Sequence, residues 1–147
     1  DGIIASDAVR YSVKDRIVTE AVWPLPAGVA GHPRSAATFT KVLGEYVRDR
    51  HLLSLADAIR RATLLPAQLL EPAAPGMKRK GRIGAGMDAD SIVFDPATVG
   101  AAATYEKPAA PAEGMRHVLV GGTFVIRDGK LIASARPGRA IRGGTTE

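Results

Sequence analysis

The sequence predicts an α+β chain, with helices in its first half and a run of short strands in its second. Two patterns and one turn carry that prediction. Between residues 38 and 71 apolar side chains recur at helical spacing, whereas from residue 92 onward they fall in short runs broken by Gly and Pro. Asp128-Gly129 lies between two of those runs as a two-residue hairpin signal.

Taken in order, the first element is Gly2-Ile3-Ile4-Ala5, small and apolar without alternation, the pattern of a strand buried on both faces. Ser6-Asp7 then places a carboxylate at the end of that strand. With no initiator Met, and no charged segment ahead of a long apolar run, the start reads as an interior segment rather than a signal peptide. Residues 8–37 carry Trp23-Pro24-Leu25-Pro26, Gly28, Gly31 and His32-Pro33-Arg34 with little periodicity. They read as a long irregular segment. Loops beyond about 12–15 residues are uncommon in a compact domain and tend to position functional side chains.

Phe39, Val42, Leu43, Tyr46 and Val47 form one apolar helical face over residues 38–51, with Thr38 as the expected N-cap and Arg48, Arg50 and His51 near the negative end of the dipole. A second helix starts at Ser54, a capping residue that Asp57 should reach back to, and its expected stripe is Leu55, Ala58, Ile59 and Ala62. PAQLLE, residues 66–71, reads as a short third helix that Pro66 opens and Pro72 and Pro75 close. From residue 76 the pattern becomes β: IVFD, RHVLVGG, TFVIRDG and KLIASA are the expected strands.

At 147 residues the chain suits one domain, and 46% hydrophobic content can build a core, although only 5% aromatic residues leaves most of it to Ala, Leu, Val and Ile. No Cys is present, so thiolate metal sites and Cys nucleophiles are excluded; the absence fits a reducing cytoplasm. No run approaches the ~18–20 apolar residues of a membrane span, and the chain reads as soluble with no membrane partner. The net charge of +5 raises a nucleic-acid reading, centred on Lys78-Arg79-Lys80 and Arg82. Without interleaved aromatics that patch reads instead as a solvated loop, and no nucleic-acid partner is expected.

Few residues could carry chemistry. Asp7 at a strand end stands where (β/α) barrels and open sheets place reacting groups; it equally suits an aspartate that closes a turn. Arg34 in a Gly/Pro-framed loop can hold a carboxylate by paired charge-assisted bonds, and His32 can donate or accept near neutral pH; a surface turn is the other reading. With only His32, His51 and His117, and neither HxH nor HExxH, a complete zinc site within the chain is not expected. GRIGAGMDAD, residues 81–90, has phosphate-loop spacing but precedes a strand, so its glycines read as turns that Asp88 and Asp90 cap or anchor.

Together IIASDA, GHPRSAATFTKVLGEYVRD, LSLADAIRRATLLPAQLLE, KGRIGAGMDADSIVFDPATV, ATYEKP, EGMRHVLVGGTFVIRDGKL and ARPGRAIR resemble the C-terminal part of the metal-dependent amidohydrolase superfamily, within it the N-acyl-D-amino-acid deacylases. The resemblance implies a fragment that holds the last strand and helices of a (β/α)8 barrel (residues 1–75) and then part of a small β-sandwich (residues 76–147). It implies zinc, one or two ions held mostly by residues outside this chain, and hydrolysis of N-acyl-D-amino acids by metal-activated water. IIASDA would be the eighth barrel strand. Asp7 would face the metal-bound water as proton shuttle and candidate ligand, and His32, Arg34 and Ser35 would lie near the substrate. The implied partners are the upstream portion of the same enzyme and the small-molecule substrate. Ala36-Ala37, Ser91 and Val120-Gly121-Gly122 depart from the family's usual residues, and the upstream metal-binding strands are absent. A non-catalytic assembly module is the alternative reading.

Overall fold

The computed structural model describes residues 2–19 and 25–143, which form two compact units. Trp23 and Pro24 of the expected irregular segment lie outside the described residues. In chain order the elements are β1 (Ser12–Val13), β2 (Arg16–Ile17), α1 (Arg34–Lys41) running into a π-helical segment (Val42–Asp49), α2 (Leu55–Ala62) and α3 (Leu64–Leu70). A 3-10 turn (Pro75–Arg79) follows, then β3 (Ser91–Phe94), β4 (Met115–Val120), β5 (Thr123–Arg127) and β6 (Lys130–Leu131).

One unit combines residues 5–52 with residues 95–114. β1 and β2 form a small antiparallel hairpin whose turn residues Lys14 and Asp15 both have positive φ (48° and 64°). The described residues of 8–37 are therefore less irregular than expected. Lys-Asp carries no hairpin signal, which is why the turn was not legible. α1 starts at Arg34, four residues before the expected cap, and Thr38 sits inside it with its hydroxyl donating to the Arg34 carbonyl at 2.9 Å. Pro33 presets the backbone at the N-cap position, with φ −58°, and brings the start forward.

Beyond Lys41 the helix widens into the π form, and Arg50 N–H donates to the Glu45 carbonyl five residues back at 2.9 Å. A wider turn dephases a 3.6-residue stripe, and Tyr46 and Val47 within it are only half-buried, while Val42 and Leu43 at its start are buried and Phe39 in α1 is exposed. Gly44 lies under the Val99 carbonyl, which a Cβ would meet at 2.6 Å, and Arg48 Nη1 donates to that carbonyl at 2.6 Å. Val99 is 1% exposed and, with Ala37, Thr40, Val42 and Leu43, belongs to the buried set of this unit.

The other unit comprises residues 2–4, 53–94 and 115–143 among those described. Ser54 caps α2 as expected, accepting from Asp57 N–H at 3.1 Å, but the Asp57 carboxylate turns to Arg61 Nε at 2.7 Å instead of reaching back. Of the expected stripe Ala58 is buried at 1%, while Leu55 and Ile59 stay exposed. α3 begins at Leu64, with Pro66 within its first turn. Residues 2–5 correct the expectation of a strand buried on both faces: they lie in no β-ladder, Ile3 is 43% exposed, and Ile4 N–H donates to the Arg61 carbonyl at 3.0 Å. A doubly buried strand needs a ladder on each side, and the described residues supply neither.

The four-stranded sheet is an antiparallel meander, β3-β4-β5-β6. Asp128-Gly129 makes the expected turn, with φ 50° and 74°. Gly121-Gly122 makes a second one of the same kind, with φ 54° and 78°. KLIASA shortens to Lys130–Leu131. The residues ahead of β3 fasten to the Gly121 turn, since Asp90 accepts from Gly121 N–H at 2.7 Å and Gly122 N–H donates to the Ala89 carbonyl at 2.9 Å. The basic run beside them is matched by acids: Arg79 and Lys80 each approach Asp88 at 2.9 Å, Lys80 also binds Asp90, and Arg82 binds Glu71 at 2.6 Å. No helix among the described residues is long and apolar enough to cross a membrane.

Two predictions follow from this unit's geometry. Gly81 has φ +67°, and a Cβ there would meet the Thr63 carbonyl at 2.6 Å, whereas Gly86 at φ +78° faces open space. Gly81→Ala should therefore cost roughly 2–4 kcal/mol in urea unfolding and Gly86→Ala only about 1 kcal/mol; equal costs would contradict the close approach. Lys80, and then the Gly121 N–H, hold the Asp90 carboxyl below the usual carboxylate range. A folded value below the unfolded one, about 3.9, stabilises at higher pH and is lost as pH falls through the folded value. Below about pH 4 the wild-type urea midpoint should consequently drop more steeply than that of Asp90→Asn.

Candidate functional site

The site grows out of the His32-Pro33-Arg34-Ser35 turn that opens α1. The antiparallel bridge between Ser12 and Ala30, with bonds of 2.9 and 2.8 Å, brings the hairpin alongside this turn. Tyr11 then packs its ring where a Cβ on Gly31 would fall, 2.5 Å away, so a larger residue at 31 would displace that ring. The Tyr11 hydroxyl donates to the Pro108 carbonyl at 2.9 Å, and burial pushes its phenol up.

Ser35 fastens the preceding segment to the helix. Its hydroxyl accepts from Val9 N–H at 3.0 Å and donates to the Val9 carbonyl at 2.9 Å, so both hydrogen-bonding functions are engaged by one residue. One residue before Ser35, Arg34 reaches back to Asp7. Its Nε donates to the Asp7 carbonyl at 2.6 Å and Nη2 meets the carboxylate at 3.0 Å. Asp7 takes φ +46°, a left-handed conformation that costs a residue with a Cβ about 1–2 kcal/mol and that Asp tolerates better than most. The Asp7 side chain is 87% exposed and that of Arg34 36%. Two of the five guanidinium donors engage Asp7, which leaves donors for a further anion.

The His32 ring is held on two sides. Nδ1 accepts from Arg34 N–H at 3.1 Å, which leaves the proton of the neutral ring on Nε2. Nε2 donates to the Tyr105 hydroxyl oxygen at 3.2 Å, and the two rings meet edge to face at 5.2 Å. Asp7, His32, Arg34 and Ser35, all singled out from sequence, thus converge. Tyr11 and Tyr105 were missed. ATYEKP carried the only available signal for Tyr105, an aromatic residue in an otherwise Ala- and Pro-rich run. His117 stands apart in the other unit, where its Nδ1 accepts from Asp128 N–H at 3.2 Å and its ring meets Phe124.

Among the described residues no three of His, Asp and Glu come together as a metal-binding group. A zinc site takes at least three protein ligands, and the carboxylate of Asp7 is paired with Arg34. The donors among the described residues therefore do not make a metal site by themselves.

Residues 26–126 match the Amidohydrolase family. The chain is 41% identical over 118 residues to the N-acyl-D-glutamate deacylase of Alcaligenes xylosoxydans xylosoxydans, a match that covers 80% of this chain and 23% of that protein. It also superposes on a D-aminoacylase crystal structure described as defining a novel subset of amidohydrolases, with TM-score 0.68, 38% identity, and coverage of 76% of this chain and 22% of that one. An N-acyl-D-glutamate deacylase from Bordetella bronchiseptica, complexed with zinc and a phosphonate mimic of the tetrahedral intermediate, gives TM-score 0.67 at 39% identity with the same coverage. The chain spans less than a quarter of the length of these relatives. With the family match extending over well more than half of its residues, the chain belongs to the amidohydrolase family.

Proposed function

We propose that the chain is the C-terminal portion of a metal-dependent hydrolase that cleaves the amide bond of N-acyl-D-amino acids. The observation that carries this reading is the convergence of Asp7, His32, Arg34 and Ser35 at one site, in a chain 41% identical to an N-acyl-D-glutamate deacylase. In this proposal residues 1–75 complete a (β/α)8 barrel, residues 3–8 becoming its eighth strand only against upstream strands outside this chain, and residues 76–147 belong to a small β-sandwich. The upstream portion of the enzyme is the partner, and the cytoplasm is the compartment.

Amide hydrolysis forms a C–O bond from water, breaks the C–N bond, and moves one proton from the water to the leaving amine. An exposed carboxylate on a fixed backbone can accept that proton and deliver it, and this is the role assigned to Asp7. The guanidinium donors of Arg34 not taken up by Asp7 suit the carboxylate of the substrate, and His32 and Ser35 hold the same end of the site. Zinc, one ion or two, would activate the water and be held mostly by residues outside this chain.

In the intact metal-loaded enzyme, Asp7→Asn should lower kcat for an N-acyl-D-amino acid by about 100-fold or more while metal content stays unchanged. An unaltered kcat would overturn the role of Asp7. Arg34→Met should raise KM for the same substrate far more than it lowers kcat, as steady-state kinetics will read. The isolated chain should show no turnover with added zinc.

A further inference from the structure

We infer that Tyr105 is a positioning residue of the site, acting through the His32 ring to fix the turn from which Arg34 and Ser35 project. The inference rests on the proposed function. Tyr105 lies in an excursion of residues 101–112 that Gly100 and Glu113 close with bonds of 3.4 and 3.1 Å. Inside it, Thr104 N–H donates to the Lys107 carbonyl at 3.2 Å and Lys107 N–H to the Thr104 hydroxyl at 3.1 Å. The Tyr11 hydroxyl pins the excursion a second time at Pro108. Tyr105 is thus placed by a braced loop. Its side chain is nevertheless 72% exposed, so burial of the ring does not account for its place.

What the phenol does contact is His32. Its oxygen takes the Nε2 proton while Nδ1 takes the Arg34 amide, so the imidazole is held at both nitrogens and neither a ring flip nor the other tautomer satisfies the pair. Without the Tyr105 acceptor, Nε2–H would turn to water and the ring would be held at Nδ1 alone. The Arg34 backbone sits at the first residue of α1, so the attitude of that amide governs where the guanidinium points. Displacements of about 1 Å in a substrate-positioning group are enough to alter kinetics measurably.

The test replaces Tyr105 by Phe, which keeps the edge-to-face ring contact and removes the hydroxyl. In the 147-residue chain, at a pH where the ring is neutral, long-range proton–nitrogen NMR should show the His32 proton on Nε2. In Y105F the His32 ring nitrogens and the Arg34 amide should shift, while His51 and His117 stay in place as internal references. In the intact enzyme the same substitution should raise KM for N-acyl-D-glutamate about three- to tenfold, the scale of one hydrogen bond, with kcat within about twofold. Unchanged His32 and Arg34 signals overturn the inference, and so does an unchanged KM. If the parent enzyme shows no deacylase turnover, the proposed function fails and the NMR comparison alone decides the role of Tyr105.

Discussion

Arg34 grips Asp7 at two points, and the shape of the candidate site depends on that grip. The two contacts differ in strength. An ion pair as exposed as this one contributes at most about 1 kcal/mol, and the side-chain entropy it costs takes up much of that. The bond from Nε to the Asp7 carbonyl has a charged donor, and such bonds contribute about 1.5–3 kcal/mol. It is therefore the backbone contact that can sustain φ +46° at Asp7, and the carboxylate follows the backbone. Ser35 completes the arrangement by engaging both polar groups of Val9, so residues 7–9 are held to the start of α1 at successive points.

The same economy of positioning runs through the rest of that unit. Gly31 admits the Tyr11 ring and Gly44 admits the Val99 carbonyl; each is a place where two segments touch because a Cβ is missing. In the other unit the work is electrostatic. The cations from Arg79 to Arg82 face Asp88, Asp90 and Glu71, and Asp90 passes the connection on to the Gly121 turn of the sheet. The basic run that reads from sequence as a solvated loop pairs Arg79, Lys80 and Arg82 with acids of its own unit.

Features set by neighbours in sequence were legible. Ser54 caps its helix and Asp128-Gly129 turns its hairpin because both signals act over two to four residues. The grouping of Asp7 with His32, Arg34 and Ser35 was legible only as a resemblance, since nothing local ties residue 7 to residue 34. The rest depended on contacts distant in sequence. Residues 2–5 have the composition of a buried strand, but composition cannot supply a ladder. Tyr46 and Val47 matched the helical stripe, yet the π-helical turns beyond Lys41 shifted the register and left them half-buried. Tyr105 lies 73 residues from its partner His32, in a segment whose composition suggested only a loop.

In the proposed function these residues become a working site only beside the remainder of a deacylase. Reconstitution tests it most directly: purified chain, the separately purified remainder of the enzyme, and zinc, assayed alone and mixed for hydrolysis of N-acyl-D-glutamate. Neither piece alone should turn substrate over, and mixing should give turnover together with a stoichiometric complex. Turnover by the 147-residue chain alone, or none from a complex that does form, would contradict it.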